Sequence, residues 1–438
     1  MEKETREKII GMIRREVVPA MGCTEPVAVA LCVAKAVETL GQVPDFIELG
    51  LSGNIIKNAM GVGIPGTGMI GLPIAVALGA LIGKSEYGLE VLKDVSPDAL
   101  EAGRKFINEG RIRISHLPCT PSNLHIEAVA GKNIPYVNSD GEVEEKQDRA
   151  EAVISGSHTN FILIRHNDEV LLREEEGAGV SETNDDVELT MSMVYRFATE
   201  APLDEIKFIL EAGRINKAAA DTALSGDYGH SLGSTIRRHG RHLFGDTPLE
   251  HIICLTSAAC DARMGGAPIS VMSNSGSGNQ GITCTLPVIS YAEDMNADEE
   301  TTTRALLLSH LTSIYIKQSL GRLSALCGCV VASTGASAGL VFLMGGDFNR
   351  ICAAIKNMVA NLTGMICDGA KPACAMKISS GVSTAVMSAM LAMNGKCVTE
   401  AEGIVAADID RTIHNLTMIG RDAMQETDRL VLKIMVEK

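Results

Sequence analysis

Residues 2–17 read as an opening helix. Met21-Gly22-Cys23-Thr24-Glu25-Pro26 reads as a second helix start, with Thr24 as cap and Glu25 and Pro26 in the first turn. An apolar, Ala-rich stretch runs from there to Leu40. Residues 46–51 (FIELGL) predict a short strand, and Ser52-Gly53-Asn54 leads into a glycine-rich run. The texture changes after about Gly83. Residues 96–108 predict a helix capped by Ser96, with Pro97 at its first position. Strand-like segments follow at 111–116, 123–130, 151–155 and 160–173, the last a hairpin around His166-Asn167-Asp168. Residues 174–188 are acidic and read as a linker. From about 190 the pattern is helical again, over 203–224, 299–317, 348–363 and 381–394. The expected class is α+β. A mainly helical domain from both chain ends, 1–88 and 190–438, is interrupted by a small α+β domain, 89–189, with a short sheet.

Composition sharpens this picture. The chain has 438 residues, enough for two or three domains. Aromatics are only 3% and Trp is absent, while Gly numbers 43 and Met 20, so the core must be built from small and aliphatic side chains packed closely. A net charge of −15 disfavours nucleic acid as a partner. Two uncharged runs, 58–83 and 323–346, are long enough to span a membrane. Their many glycines, and the two prolines and missing aromatic belt of the first, make them buried core segments instead. The charged N-terminus carries no secretory pattern, so a reducing cytoplasm is expected. The 12 Cys are then not a disulfide framework, and most are small buried hydrophobes.

Four segments offer chemistry. Cys367-Asp-Gly-Ala-Lys-Pro-Ala-Cys374 places two thiols on a Gly/Pro loop between helical stretches. Its spacing is neither that of a zinc knuckle nor that of a bacterial ferredoxin. Two unrelated buried cysteines fit the same spacing. Ser273-Asn-Ser-Gly-Ser-Gly-Asn-Gln-Gly281, followed by Ile-Thr-Cys284, offers a nest of backbone N–H groups for a carboxylate or phosphate. A flexible surface loop is the alternative. Cys23 lies at a helix start, which favours thiolate, although a cysteine packed at a turn also fits. Ser155-Gly-Ser-His-Thr-Asn160 is a polar turn with some capacity for an anion. Gly61-Val-Gly-Ile-Pro-Gly-Thr-Gly68 matches no nucleotide motif and reads as close packing or substrate-loop backbone. Cys327-Gly-Cys329 stands in an apolar run without a neighbouring acid or His, and reads as core packing.

Taken together, MGCTEP at 21–26, GVGIPGTGMIGLP at 61–73, GSGNQG at 276–281 with Cys284, and MICDGAKPACAMK at 365–377 resemble the iron–sulfur L-cysteine desulfidases. More distantly they resemble the iron–sulfur L-serine dehydratases. The resemblance covers nearly the whole chain. It implies an oxygen-sensitive 4Fe–4S cluster held by Cys284, Cys367 and Cys374, with one iron open to substrate. It implies that Cys23 is the base. Ser157, His158 and Thr159 match a Ser-Ser-His-Thr segment that binds substrate carboxylate in the dehydratases, but Gly156 replaces its first serine. The backbone of Ser277, Gly278 and Gln280, with Asn279, would orient the same carboxylate. The chain ends in Lys438, so the cysteine tail that blocks the open iron in some dehydratases is not expected here. The chemistry implied is loss of sulfide from L-cysteine to aminoacrylate, which hydrolyses to pyruvate and ammonia, without pyridoxal phosphate. L-Serine dehydration by the same type of cluster, or metabolite binding without catalysis, are the alternatives. The partner expected is a small amino acid, with no nucleic acid and no membrane; a homo-oligomer is left open.

Overall fold

A computed structural model describes residues 1–137, 143–174, 187–321 and 324–437. The acidic linker read at 174–188 lies for the most part outside the described residues. The chain forms two compact units. The first comprises Met1–Ala20, Asp185–Asp368 and Pro372–Lys438. The second comprises Met21–Asn184 with Gly369–Lys371. The α+β class holds: helices dominate the first unit, and a six-stranded mixed sheet organises the second.

In the second unit the strands run, edge to edge, Ile112–Leu117, Phe46–Ser52, His125–Val137, Val143–Ser155, Phe161–His166 and Glu169–Arg173. Phe46–Ser52 pairs parallel with Ile112–Leu117 and antiparallel with His125–Val137. The other neighbours are antiparallel, and the hairpin at 166–169 turns through Asn167 at φ 50. This corrects the domain boundary expected near residue 88. A strand must satisfy the backbone groups on both its sides, and Phe46–Ser52 does so only between two strands from later in the chain. Helix Thr24–Leu40 goes with it. Its residues Val27–Ala34 are all buried, and the Cys32 thiol donates to Ala152 O at 3.2 Å, which seats the helix on the sheet. Residues 21–88 therefore share a core with the sheet rather than with the helical ends.

The first unit is a bundle of apolar helices: Pro248–Met264, Gly278–Asp294, Glu299–Leu320, Gly328–Leu343, Phe348–Leu362 and Cys374–Met393. Small residues let them approach closely. A Cβ at Gly339 would sit 2.8 Å from Ala305 O, and one at Gly335 would collide with Ser309 O. Helix Gly328–Leu343 is buried along nearly its whole length, as is Leu72–Ile82 in the second unit, so both uncharged runs are core segments. Among the described residues, Cys374–Met393 alone has the length and apolar composition to cross a membrane, and half of that stretch is buried inside the protein.

Gly79 tests the close-packing argument. Its missing Cβ would lie 2.6 Å from Ala30 O, where helix Leu72–Ile82 meets helix Thr24–Leu40. Gly79→Val should cost about 1–3 kcal/mol, read as a lower urea midpoint, because backbone rather than a flexible side chain blocks the space. A loss below about 0.5 kcal/mol would mean that these helices are not held at contact distance.

Candidate functional site

The cysteines of the first unit sort into two environments. Cys327 is the N-cap of helix Gly328–Leu343, and Cys374 is the first residue of helix Cys374–Met393. An antiparallel bridge joins Leu326 to Ile366, with Cys327 N donating to Met365 O at 3.0 Å and Cys367 N donating to Ala325 O at 2.7 Å. Two segments distant in sequence are thus held together, with Cys327 opposite Met365 and Cys367 opposite Ala325, one on each side of the bridge. Burial pushes the Cys327 thiol up to about 12, and nearby Cys367 and Cys374 add to the rise. Cys329 and Cys260 are fully buried and raised further. Cys327 and Cys374 act on the first, Cys374 and Asp261 on the second, after burial itself. Five thiols therefore share one neighbourhood: Cys260, Cys327, Cys329, Cys367 and Cys374. All are free thiols.

Cys284, expected from the sequence to join Cys367 and Cys374, is not among the thiols that act on one another here. It lies inside helix Gly278–Asp294 with its thiol 3.9 Å from Ala332 O. Burial pushes it to about 12, and its remaining influences are the hydroxyls of Ser313 and Ser309, not another thiol. Gln280, one turn earlier, packs on Gly328, while Cys284 packs beside Ala332, one turn further along the facing helix. Cys284 is therefore about one turn too deep. Cys327, read as core packing, lies near Cys367 and Cys374 instead. The usable signal was its position just before a long apolar helix, where N–H groups and the helix dipole favour a thiolate.

The five thiols differ in what they have left to offer. Cys329 donates to Lys377 O at 3.1 Å and is pressed against Gly381, where a Cβ would collide with its sulfur. Cys260 is sealed, 3.7 Å from Asn279 Oδ1. Cys367 and Cys374 are half-buried, and Cys327 retains 9% exposure. A set of three thiolates near the surface of a buried pocket of sulfur suits an iron–sulfur cluster or another soft metal. The neighbouring polar atoms agree. Gln280 packs its amide over Gly328, where a Cβ would lie 3.0 Å from Gln280 Cγ, and its buried Oε1 has no hydrogen-bond partner.

The GSGNQG segment begins a helix, as its nest-like composition suggested. Ser275 and Gly276 take left-handed φ of 48 and 77, and Ser277 caps helix Gly278–Asp294 by accepting from Gln280 N at 3.4 Å. Asn279 accepts from the buried Arg263 at 3.0 Å. A polar network fixes the loop from behind. Asn274 Nδ2 donates to His310 Nδ1 at 3.1 Å, and His310 Nε2 meets Thr285 Oγ1 at 3.0 Å. Thr285 Oγ1 donates to Gly281 O at 2.7 Å, and Asn216 donates to Thr285. Asn274 uses the ring's Nδ1 as acceptor, so Nε2 carries the proton and the imidazole is neutral.

The remaining expected residues belong to the second unit. Cys23, not Thr24, is the N-cap of helix Thr24–Leu40; it is buried, and its thiol donates to Glu25 Oε2 at 3.0 Å. Ser157, His158 and Thr159 form the tight turn between strands Val143–Ser155 and Phe161–His166. Gly156 at φ 80 opens it and Asn160 closes it onto Ser155 O. A left-handed residue is needed at 156, which explains the glycine there. Gly61 of the glycine-rich run closes on Ala370, in the loop joining Cys367 to Cys374; a Cβ would lie 3.2 Å from Ala370 O.

Thiols grouped at helix starts on a helical core are chemically suited to iron–sulfur or another soft metal. Residues 86–433 match the family described as serine dehydratase alpha chain, and the chain belongs to that family of iron–sulfur lyases. It is 58% identical over 439 residues to a UPF0597 protein of Bacteroides fragilis, covering 100% of both chains. It is 57% identical over 439 residues to a UPF0597 protein of Bacteroides thetaiotaomicron, covering 100% of this chain and 99% of that one. With a UPF0597 protein of Chromobacterium violaceum the identity is 43% over 441 residues, with 100% and 99% covered.

The His310 network predicts a pH dependence. Burial lowers this imidazole from 6.5 to about 3. Below about 6.5 the unfolded chain binds a proton there and the folded chain does not, so stability falls as pH drops towards about 3. His310→Gln keeps a donor for Thr285 and removes the titration. Its urea midpoint should fall less steeply than wild type over that window. Parallel slopes would show that folded His310 takes up a proton freely.

Proposed function

We propose that this protein is an iron–sulfur lyase that removes sulfide from L-cysteine, with Cys327, Cys367 and Cys374 holding a 4Fe–4S cluster. The observation that carries the reading is the bridge that holds the Cys327 and Cys367 segments together, with Cys374 at the adjoining helix start and all three thiols acting on one another. Family membership and the motif resemblance support it. Three protein ligands leave one iron for substrate, and the cluster when bound supplies a Lewis acid for the leaving sulfur.

The chain's own residues supply the rest. The N–H group of Gly278 and the side-chain amide of Asn279, backed by the Arg263 cation, suit the substrate carboxylate, while Ser277 N and Gln280 N, bonded to Asn274 O and Ser277 Oγ, shape the loop. Ser157, His158 and Thr159 are the second candidates for that carboxylate. Cys23 takes the α-proton, and Glu25, which accepts from its thiol, is placed to take the sulfur's own hydrogen beforehand. Loss of the α-proton and the β-thiol gives aminoacrylate and sulfide. Aminoacrylate hydrolyses to pyruvate and ammonia. No step calls for pyridoxal phosphate. L-Serine, losing water instead, is the second substrate reading, favoured by the family's name.

Anaerobic reconstitution followed by sulfide and pyruvate assays on both amino acids tests the function. Sulfide and pyruvate from L-cysteine are expected; pyruvate from L-serine alone would give the dehydratase, and neither product would end the enzyme reading. Cys327→Ala, Cys367→Ala and Cys374→Ala should each lose iron and colour. Cys284→Ala should keep both and cost only the few kcal/mol or less of a small core truncation. Iron loss in Cys284→Ala with retention in Cys327→Ala would reverse the ligand assignment. Cys23→Ala should keep the cluster spectrum and lose ~10²–10⁴-fold in turnover. Turnover within a fewfold of wild type would remove Cys23 as the base.

A further inference from the structure

Lys377 lies in the first turn of helix Cys374–Met393, three residues after Cys374. Its ammonium donates to Ile366 O at 2.8 Å and forms an ion pair with Asp368. Ile366 is the bridge partner of Leu326, so both Cys327 and Cys367 directly follow the residues of that bridge. The Lys377 carbonyl meanwhile accepts from the Cys329 thiol at 3.1 Å. One residue thus touches all three segments that bear the sulfurs. Burial alone would lower this lysine's proton affinity. Its hydrogen bond to Asp368, followed by Cys327, Asp368 and Cys367 as neighbouring charges, more than reverses that.

We propose that Lys377 is the positioning residue and charge partner of the sulfur site, its ammonium clamped on Ile366 O and Asp368 beside Cys327 and Cys367. The inference rests on the cluster reading above. Three thiolates and a cluster carry net negative charge into a largely buried place. A fixed cation there offsets the repulsion and favours the more reduced, more negative state. Asp368 works against it, so the pair sets the local charge from both sides. Lys377 is not assigned contact with substrate.

The test compares wild type with Lys377→Met, Lys377→Arg and Asp368→Asn after anaerobic reconstitution. The readouts are iron lost to a chelator and the cluster's midpoint potential. Lys377→Met should hold iron roughly 10–100-fold more weakly, the usual effect of losing an outer partner, and its potential should fall. Lys377→Arg should restore both. Asp368→Asn should move the potential the opposite way, upward, which a merely structural role for the pair would not produce. That arm carries the test if Lys377→Met does not fold. Wild-type iron retention and potential in Lys377→Met, or a fall in potential in Asp368→Asn, would overturn the inference and leave the function standing. A wild-type protein that takes up no iron would overturn both.

Discussion

Two backbone hydrogen bonds, Cys327 N to Met365 O and Cys367 N to Ala325 O, hold the site together. They fix the register between the segment entering one apolar helix and the segment leaving the loop before another. A slip of one residue in that pairing would turn one sulfur to the opposite side. Two helices, Gly328–Leu343 and Cys374–Met393, begin just after Cys327 and at Cys374 respectively. The N–H of Cys329 bonds the Cys327 sulfur, and the dipoles of the two helices favour negative charge at their starts.

The surrounding bundle can bring those helix starts together because its side chains are small. Glycines at 335 and 339 let helix Gly328–Leu343 lie against Glu299–Leu320, and Gly381 lets Cys374–Met393 lie against the Cys329 sulfur. A Cβ at any of these would collide with a neighbouring backbone oxygen or with the Cys329 sulfur. The cost of so much buried polarity is met locally. Asn216, Thr285, His310 and Asn274 satisfy one another behind the GSGNQG loop, so its start is rigid on the side away from the sulfurs. Gln280 Oε1 is one of several buried polar atoms left without a partner, and it lies against Gly328, between Cys327 and Cys329.

Much of the secondary structure was legible in the chain. The helix capped by Ser96, the hairpin at Asn167-Asp168 and the long helices after 299 follow from caps, turn residues and apolar runs, which act over a few residues. The motif around Cys367 and Cys374 stood out for the same reason: both cysteines lie within one loop. The boundary at residue 88 failed because Phe46–Ser52 looks like an isolated strand until its partners, Ile112–Leu117 and His125–Val137, are known.

What the sequence determined by itself was therefore local: the elements, the small-residue core, and a family resemblance spread over four motifs. What only the tertiary structure decided was which cysteine lies near Cys367 and Cys374. Cys284 and Cys327 both sit in apolar stretches, and the one local difference, that Cys327 directly precedes a long apolar helix, does not say which sulfurs it meets. The difference is one turn of helix in depth, together with a bridge between residues 326 and 366 that depends on backbone pairing and leaves no mark in side-chain pattern.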